Sequence, residues 1–431
     1  MKLLKNLHNK LSYRTSKFMA AAFAAAGLFL FTSCMDDSRQ TVVIWTSRSE
    51  IVPYAEVFNA SQNKIKALVL YKKNPVESLP ATKDEVPPDL VIGSFMRTER
   101  KRRQFRSLNY LFTTGEVNES VFYNNLLDSC KKNESIYQIP VSFNIPAIVF
   151  TKEHEEFVKE AYMLTLEQIQ EAATLFNKKN KNGLYTQMGF APQWEPQFLY
   201  MAAKIRDCKF EESGTSFSCN LEALSETVDF LRDWTTKNGS PIEEQDFAFK
   251  YLYTPQYKQL LSKHCLFSFM TSDKLFALSQ AQLETVDFRW IHKNNKIPVD
   301  DSMITMGLYN KAKHKSNAEE FIKWFFTEEA QKQMMEHVHQ MNLNVSTFGI
   351  AGGFSSIKDV TEKVFPTYYN TLLSNAPVAE LLMPPAVLPL RWESLKDKVI
   401  IPYIADSINS NAETKVRSIE ERTSDWTKQI F

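Results

Sequence analysis

Five residues, Pro192-Gln193-Trp194-Glu195-Pro196, set a large ring and a carboxylate between two prolines. An exposed Trp-Glu in such a loop is poor core material. A tryptophan face can stack on the apolar C–H surface of a sugar, and a carboxylate can accept from its hydroxyls. Trp194 and Glu195 therefore read as ligand contacts. Other polar residues stand where predicted strands end, the place where α/β sheets put their ligands. Trp45, Thr46 and Ser47 close the run Thr41-Val42-Val43-Ile44-Trp45, and Glu50 follows in a helix start. Gly93, Ser94 and Phe95 close Asp89-Leu90-Val91-Ile92-Gly93. Ser142 and Asn144 lie within the apolar stretch from Pro140 to Lys152, where polar groups need partners. The first two groups also have structural readings, a core tryptophan beside a capped helix and a strand-to-helix turn; for Ser142 and Asn144, ligand or hinge hydrogen bonding stands against a purely structural role.

Reaction chemistry is harder to find. The chain contains no G-x-S-x-G elbow, P-loop, H-E-x-x-H or EF-hand pattern. His337 and His339 are two apart and face different ways on a helix, so they do not share a metal easily. We expect no catalytic residues, no metal and no cofactor. The basic run Arg97 to Arg106 reads as a solvated helix face, with docking to an anionic surface or a permease as the alternative.

The elements that must position these residues alternate. Thr41 to Trp45, Lys66 to Tyr71 and Asp89 to Gly93 read as short strands, and Ser47 with Glu50 as a helix-start box. Parallel βαβ units covered on both faces are expected. The middle turns helical. Thr165 and Gln168 open a helix with Ile169, Ala172, Ala173 and Phe176 on one face, and Leu221 to Trp234 forms another. A strand returns at Asp301 to Leu308. Trp392 to Trp426 reads as two amphipathic helices broken near Ser410-Asn411.

The amino terminus carries five cations and no acid in residues 1–17, then the 14-residue apolar run Phe18 to Phe31, then Thr32-Ser33-Cys34. Basic, apolar and small-residue regions in that order predict a secretory leader. The run is short of the roughly 20 residues that span a bilayer. A cysteine after the small residues resembles a bacterial lipobox, although Phe31 stands where Leu is usual. Residues 1–33 are then the signal peptide, Cys34 the lipidated residue and 34–40 a tether. Removing the five leader cations from the 51 basic residues leaves 46 against 50 acidic ones, a net of −4. That argues against a general nucleic-acid binder. The roughly 397 remaining residues suit two domains. Cys208 and Cys219 bracket a polar stretch with Ser213-Gly214 near its middle, which reads as a hairpin. Its ends could hold a disulfide in an oxidising compartment or two free thiols.

Six segments in this order resemble the family 1 extracellular solute-binding proteins of ABC importers, the maltose-binding-protein-like group. They are VVIWTSRSE, PPDLVIGSF, SIYQIPVSFNIPAIVFTKE, TLEQIQEAATLF, KHCLFSFMTSDKLFAL and SNAEEFIKWFFTEEAQKQMM. Asp273 and Lys274 fall where the family often has glycine. The resemblance implies an α/β, two-lobe periplasmic-binding-protein-like fold with a cleft between lobes joined by crossing segments. Lobe one would comprise 41–148 and 302–345, and lobe two 149–301 and 346–431. It further implies ligand contacts at Thr271 and Asp273, at Asp301 and Ser302 where the chain re-enters lobe one, and at Arg391 and Trp392. A lipid-anchored extracytoplasmic monomer follows as the expectation, capturing a sugar or oligosaccharide for permease subunits of an importer. A non-transport adhesin or sensory lipoprotein, or a glycoside-active enzyme, is the alternative.

Overall fold

A computed structural model describes residues 38–158, 162–214, 216–254, 256–342, 347–410 and 416–430. Cys34 and the leader lie outside them. Among the described residues, no helix is long and apolar enough to cross a membrane. Residues Thr41–Phe431 form one compact unit.

Alternation builds the first sheet. In the strand Gln40–Thr46, Val42 and Ile44 enter one core while Val43 and Trp45 enter another on the opposite face. Successive side chains of a strand point to opposite faces, so a run of β-branched residues is buried on both. This strand pairs in parallel with Leu90–Gly93, Ile44 opposite Leu90. The sheet has six strands, in the order Phe354–Ser355, Ile139–Phe143, Ile304–Leu308, Leu90–Gly93, Gln40–Thr46 and Ile65–Tyr71. The returning strand Ile304–Leu308 is antiparallel to both of its neighbours. The expected parallel arrangement therefore holds at the pair 40–46 and 90–93, and the later strands insert against it.

The second sheet orders Ser268–Thr271, Pro146–Thr151, Val286–Ile291 and Met163–Leu164. The middle two pair antiparallel, and Met163–Leu164 joins parallel to Val286–Ile291. Helices Leu166–Phe176, Pro196–Ile205, Leu221–Lys237 and Ile401–Asn409 share a core with Ile148 and Phe150. The first of these opens with a capping box between Thr165 and Gln168, as its sequence predicts.

Two short stretches pass between the sheets. The chain leaves Phe143 in the first sheet and enters the second at Pro146. It returns before Ile304, and Phe354–Ser355 rejoins the first sheet at its edge. That last strand falls within the segment 346–431 expected in lobe two. Its register, Phe354 opposite Phe143, was not readable from its composition.

Two local expectations fail. The box from Ser47 to Glu50 does not form: Glu50 is the N-cap residue of Ile51–Ser61 and makes no side-chain cap bond. Thr46 Oγ1 instead accepts from Arg48 N at 3.0 Å, which turns the chain before the helix. The basic run at 97–106 is not a solvated helix face throughout. Its helix spans Glu99–Arg102, and Lys101 is buried, donating to Leu79 O at 2.9 Å.

Candidate ligand-binding cleft

A cavity of about 680 Å³ opens at the ends of the first-sheet strands. Ser47 lines it after the first strand, Ser94 and Phe95 after Leu90–Gly93, and Ser302 before the returning strand. The facing wall is Leu390 to Ser394, a segment whose Trp392 belongs to the second core. Both walls are thus fixed by rigid elements, and the volume lies within the usual range for small-ligand sites.

The lining is polar and carries both signs of charge. Arg48, Lys73 and Arg391 stand against Glu77 and Glu393, and Ser47, Ser94, Ser302 and Ser394 add hydroxyls. Arg391 Nε lies 3.5 Å from Glu77 Oε2, an ion pair between the two walls. A second cavity of about 370 Å³ shares Glu77, Leu390 and Arg391 with the first, so this pair stands where the two adjoin. Phe95 is the partly exposed ring in the lining. Hydroxyls and amides that both donate and accept, with one ring face, suit a polyhydroxylated ligand.

Two lining residues hold left-handed backbone: Phe95 at φ 56° and Arg391 at φ 67°. Non-glycine residues there cost of order 1–2 kcal/mol each. Such conformations cluster at ligand clamps, where the surroundings over-determine them.

Of the residues singled out in the sequence, the structure brings Ser47, Ser94, Phe95, Ser302, Arg391 and Trp392 to this one cavity. Trp392 touches it from within the core. Its ring is fully buried, packed 5.7 Å from Phe210 and 5.8 Å from Phe217, so it is a wall rather than a stacking platform. Its Nε1 donates to Asp301 at 2.8 Å. Asp301, also buried, accepts from Tyr200 Oη and Lys204 Nζ as well. Burial pushes the Asp301 carboxyl up; the Lys204 charge and these three hydrogen bonds outweigh it and bring the pKa below the ordinary value. Asp301 is thus a joint between the returning segment and the second core.

Asn144 has a similar place. Its Nδ2 donates to Gly352 O at 2.8 Å and its Oδ1 accepts from Ser272 Oγ at 2.6 Å. Its carbonyl accepts from Asp300 N at 2.7 Å. One side chain and its backbone tie this crossing to the returning segment at Asp300, to Ser272 and to Gly352. These bonds give its side chain partners within the protein.

The remaining expected contacts sit elsewhere. Trp45 is fully buried; its Nε1 donates to Val86 O at 3.1 Å, and Lys72 lies over its ring. Thr46 and Gly93 are buried at strand ends, with Gly93 O accepting from Thr305 Oγ1 at 3.2 Å. Ser142 is buried in the sheet opposite Ser355. Glu50 does not line the cavity and stands with Arg48 beside Gly352. Thr271 pairs with Pro146 in the second sheet. Asp273 opens the helix Ser272–Phe276 with its Oδ1 buried and unpartnered.

Trp194 and Glu195 do not line the cavity. Trp194 stacks on Phe247 at 5.4 Å and 12°, and its Nε1 donates to Glu244 O at 3.1 Å. Glu195 is the N-cap residue of Pro196–Ile205. The proline-flanked loop was read as exposed because its partner, Phe247, lies more than fifty residues away in sequence. Cys208 and Cys219 are free thiols: the expected hairpin Glu211–Ser213 with Ser216–Ser218 forms without a disulfide.

Sequence reasoning missed Arg48 and the stretch Lys73 to Glu77. The latter follows the strand Ile65–Tyr71. The strand-end rule that flagged Ser47 and Ser94 applies to it equally.

No family model matches the chain, and no curated protein matches it. Solved structures do. A family 1 extracellular solute-binding protein from Alicyclobacillus acidocaldarius superposes with a TM-score of 0.63 at 12% identity, over 91% of this chain and 98% of that one. The fold is that of the two-lobe solute-binding proteins. The sugar-binding protein MalE from Xanthomonas citri gives 0.61 at 10% identity, over 91% and 96%. An ABC substrate-binding protein from Listeria monocytogenes in complex with cycloalternan gives 0.59 at 13%, over 91% and 99%. Asn144 and Asp301 lie on the stretches of chain that run between the two sheets, and the 680 Å³ cavity opens at the ends of the first-sheet strands.

Proposed function

We propose that the chain is an extracytoplasmic solute-binding protein that captures a sugar or oligosaccharide and hands it to the permease of an ABC importer. The observation that carries this reading is the cleft. Hydroxyls and mixed charges from the ends of the first-sheet strands face a wall of the second core across 680 Å³, with hinge residues behind. Solved structures of similar fold that bind sugars, among them the cycloalternan complex and the Xanthomonas citri protein, support the ligand class. Ser47, Arg48, Ser94, Phe95, Ser302 and Arg391 would contact the ligand. Closing the lobes couples to binding because a ligand touching both walls favours the closed state. Cys34 would hold the receptor to the membrane by a lipid, keeping captured ligand near the permease. Expected partners are the solute, the permease subunits and the membrane.

The test is a titration of residues 38–431 against a panel of oligosaccharides and other small solutes, read by calorimetry and small-angle scattering. Saturable binding with a smaller radius of gyration is the expected result. Turnover of glycosides, or no binding across the panel, would contradict the receptor reading.

A further inference from the structure

The helix Pro241–Lys250 packs by one side only. Glu244 and Phe247 are buried, and Tyr251 follows them inward, its ring 5.1 Å from Phe247. The opposite side is open, with exposed Gln245 and Asp246 set between two large apolar residues, Ile242 and Phe249. Ile242 is 69% exposed and Phe249 77%, and in the turn that follows Leu252 is 61% and Tyr253 95% exposed. Ile242 and Phe249 are two helical turns apart and share a face. Single exposed apolar side chains are ordinary; four large ones within twelve residues, on a helix and the turn after it, mark an interaction site.

Charge says what kind. From Phe247 to Ser272 the sequence has no Asp or Glu and carries Lys250, Lys258 and Lys263. Lys263 pairs with Glu153 at 2.7 Å, and Lys179, across from this helix, with Glu243 at 2.6 Å. Lys250 and Lys258 are exposed and have no carboxylate partner among the described residues. Asp246 is the exposed acid on the helix. The helix Gln256–Leu261, which carries Lys258, is tied to the turn through Gln259 Nε2 and Thr254 O at 2.9 Å, so Lys258 sits on the element next to that turn.

We propose that this face rests on an anionic lipid surface. Phe249, Leu252 and Tyr253 enter the interfacial layer, and Lys250 and Lys258 meet its headgroups. Rings and leucine flanked by lysine are the composition of interfacial segments, and an anionic leaflet attracts lysines that have no carboxylate partner. The surface is separate from the ligand cleft and does not need the amino-terminal lipid.

Residues 38–431 contain the compact unit and lack the amino-terminal apolar run, so they can be sedimented with vesicles directly. Phosphatidylglycerol–phosphatidylcholine vesicles should carry down about fivefold more protein than phosphatidylcholine alone, with the difference shrinking as salt rises. The triple change F249S/L252S/Y253S should lower binding about fivefold, and K250E/K258E should remove the preference for anionic vesicles while unfolding stays unchanged. Absence of binding to either vesicle overturns the proposal, as does undiminished binding by the triple variant. A concentration-dependent dimer that the triple variant abolishes, without vesicle binding, overturns it in favour of a protein interface.

Discussion

Trp392 and Trp194 are anchored alike and sit in different electrostatic company. Each indole N–H donates to an acidic residue: Trp392 to the Asp301 carboxylate at 2.8 Å, Trp194 to the Glu244 backbone carbonyl at 3.1 Å. Both acids are buried. Asp301 has Lys204 against it, and its pKa is lowered despite burial. Glu244 has only neutral donors, Asn238, Thr235 and Gln193, and burial pushes it up to about 7. Hydrogen bonds alone do not offset desolvation of a carboxylate here; a cation does. The site with the cation is the one at the cleft, where a fixed charge holds the returning segment to the second core.

The most damaging way to break this contrast is Lys204→Met. It strands the Asp301 charge, and chemical denaturation should show a loss of about 3–5 kcal/mol. A loss below about 1 kcal/mol would mean that Tyr200 and Trp392 suffice, and the contrast with Glu244 would collapse.

Glu244 should show the opposite pH response. Its folded pKa, about 7, lies above the ordinary 4.5, so its contribution is fully present below that value and is lost as pH rises to about 7. The shift corresponds to about 3 kcal/mol over that window. Glu244→Gln should flatten the profile of thermal midpoint against pH on that side. Asp301 works the other way: its contribution is present above its unfolded pKa and fades as pH falls through the lower folded value.

Trp194→Ala should cost about 2–3 kcal/mol, less than a fully buried tryptophan, by removing the Phe247 stack. Ligand affinity should stay within about twofold, whereas Phe95→Ala should weaken it about tenfold at little cost in stability. A large affinity loss in the Trp194 variant would move the ligand to the other tryptophan.

Arg391→Gly should gain about 1 kcal/mol by relieving the left-handed backbone while weakening ligand binding. The smallest effect concerns Cys208 and Cys219. With both thiols free, a reductant should leave the unfolding midpoint where it was; a drop of several degrees would reveal a bond between them.

Local patterns carried much of the fold. The β-branched run at 41–45, the Thr165–Gln168 box and the helical spacing of Leu221 to Trp234 each depend on neighbours a few residues apart. Those contacts form wherever the chain folds, so they are legible in order. The same holds for Ser47, Ser94 and Phe95, because a strand end places its next residues at the sheet edge.

What the sequence by itself determined is therefore the set of elements, the residues at their ends and the resemblance to two-lobe binding proteins. The tertiary structure alone decided which tryptophans face inward, because Trp194 meets Phe247 and Trp392 meets Tyr200, Phe210 and Phe217 only after distant segments pack. It also decided which segments Asn144 and Asp301 join. A polar residue inside an apolar stretch must find a partner; which partner depends on contacts across 128 residues for Asn144 with Ser272 and 97 for Asp301 with Lys204. No local periodicity encodes contacts at that range.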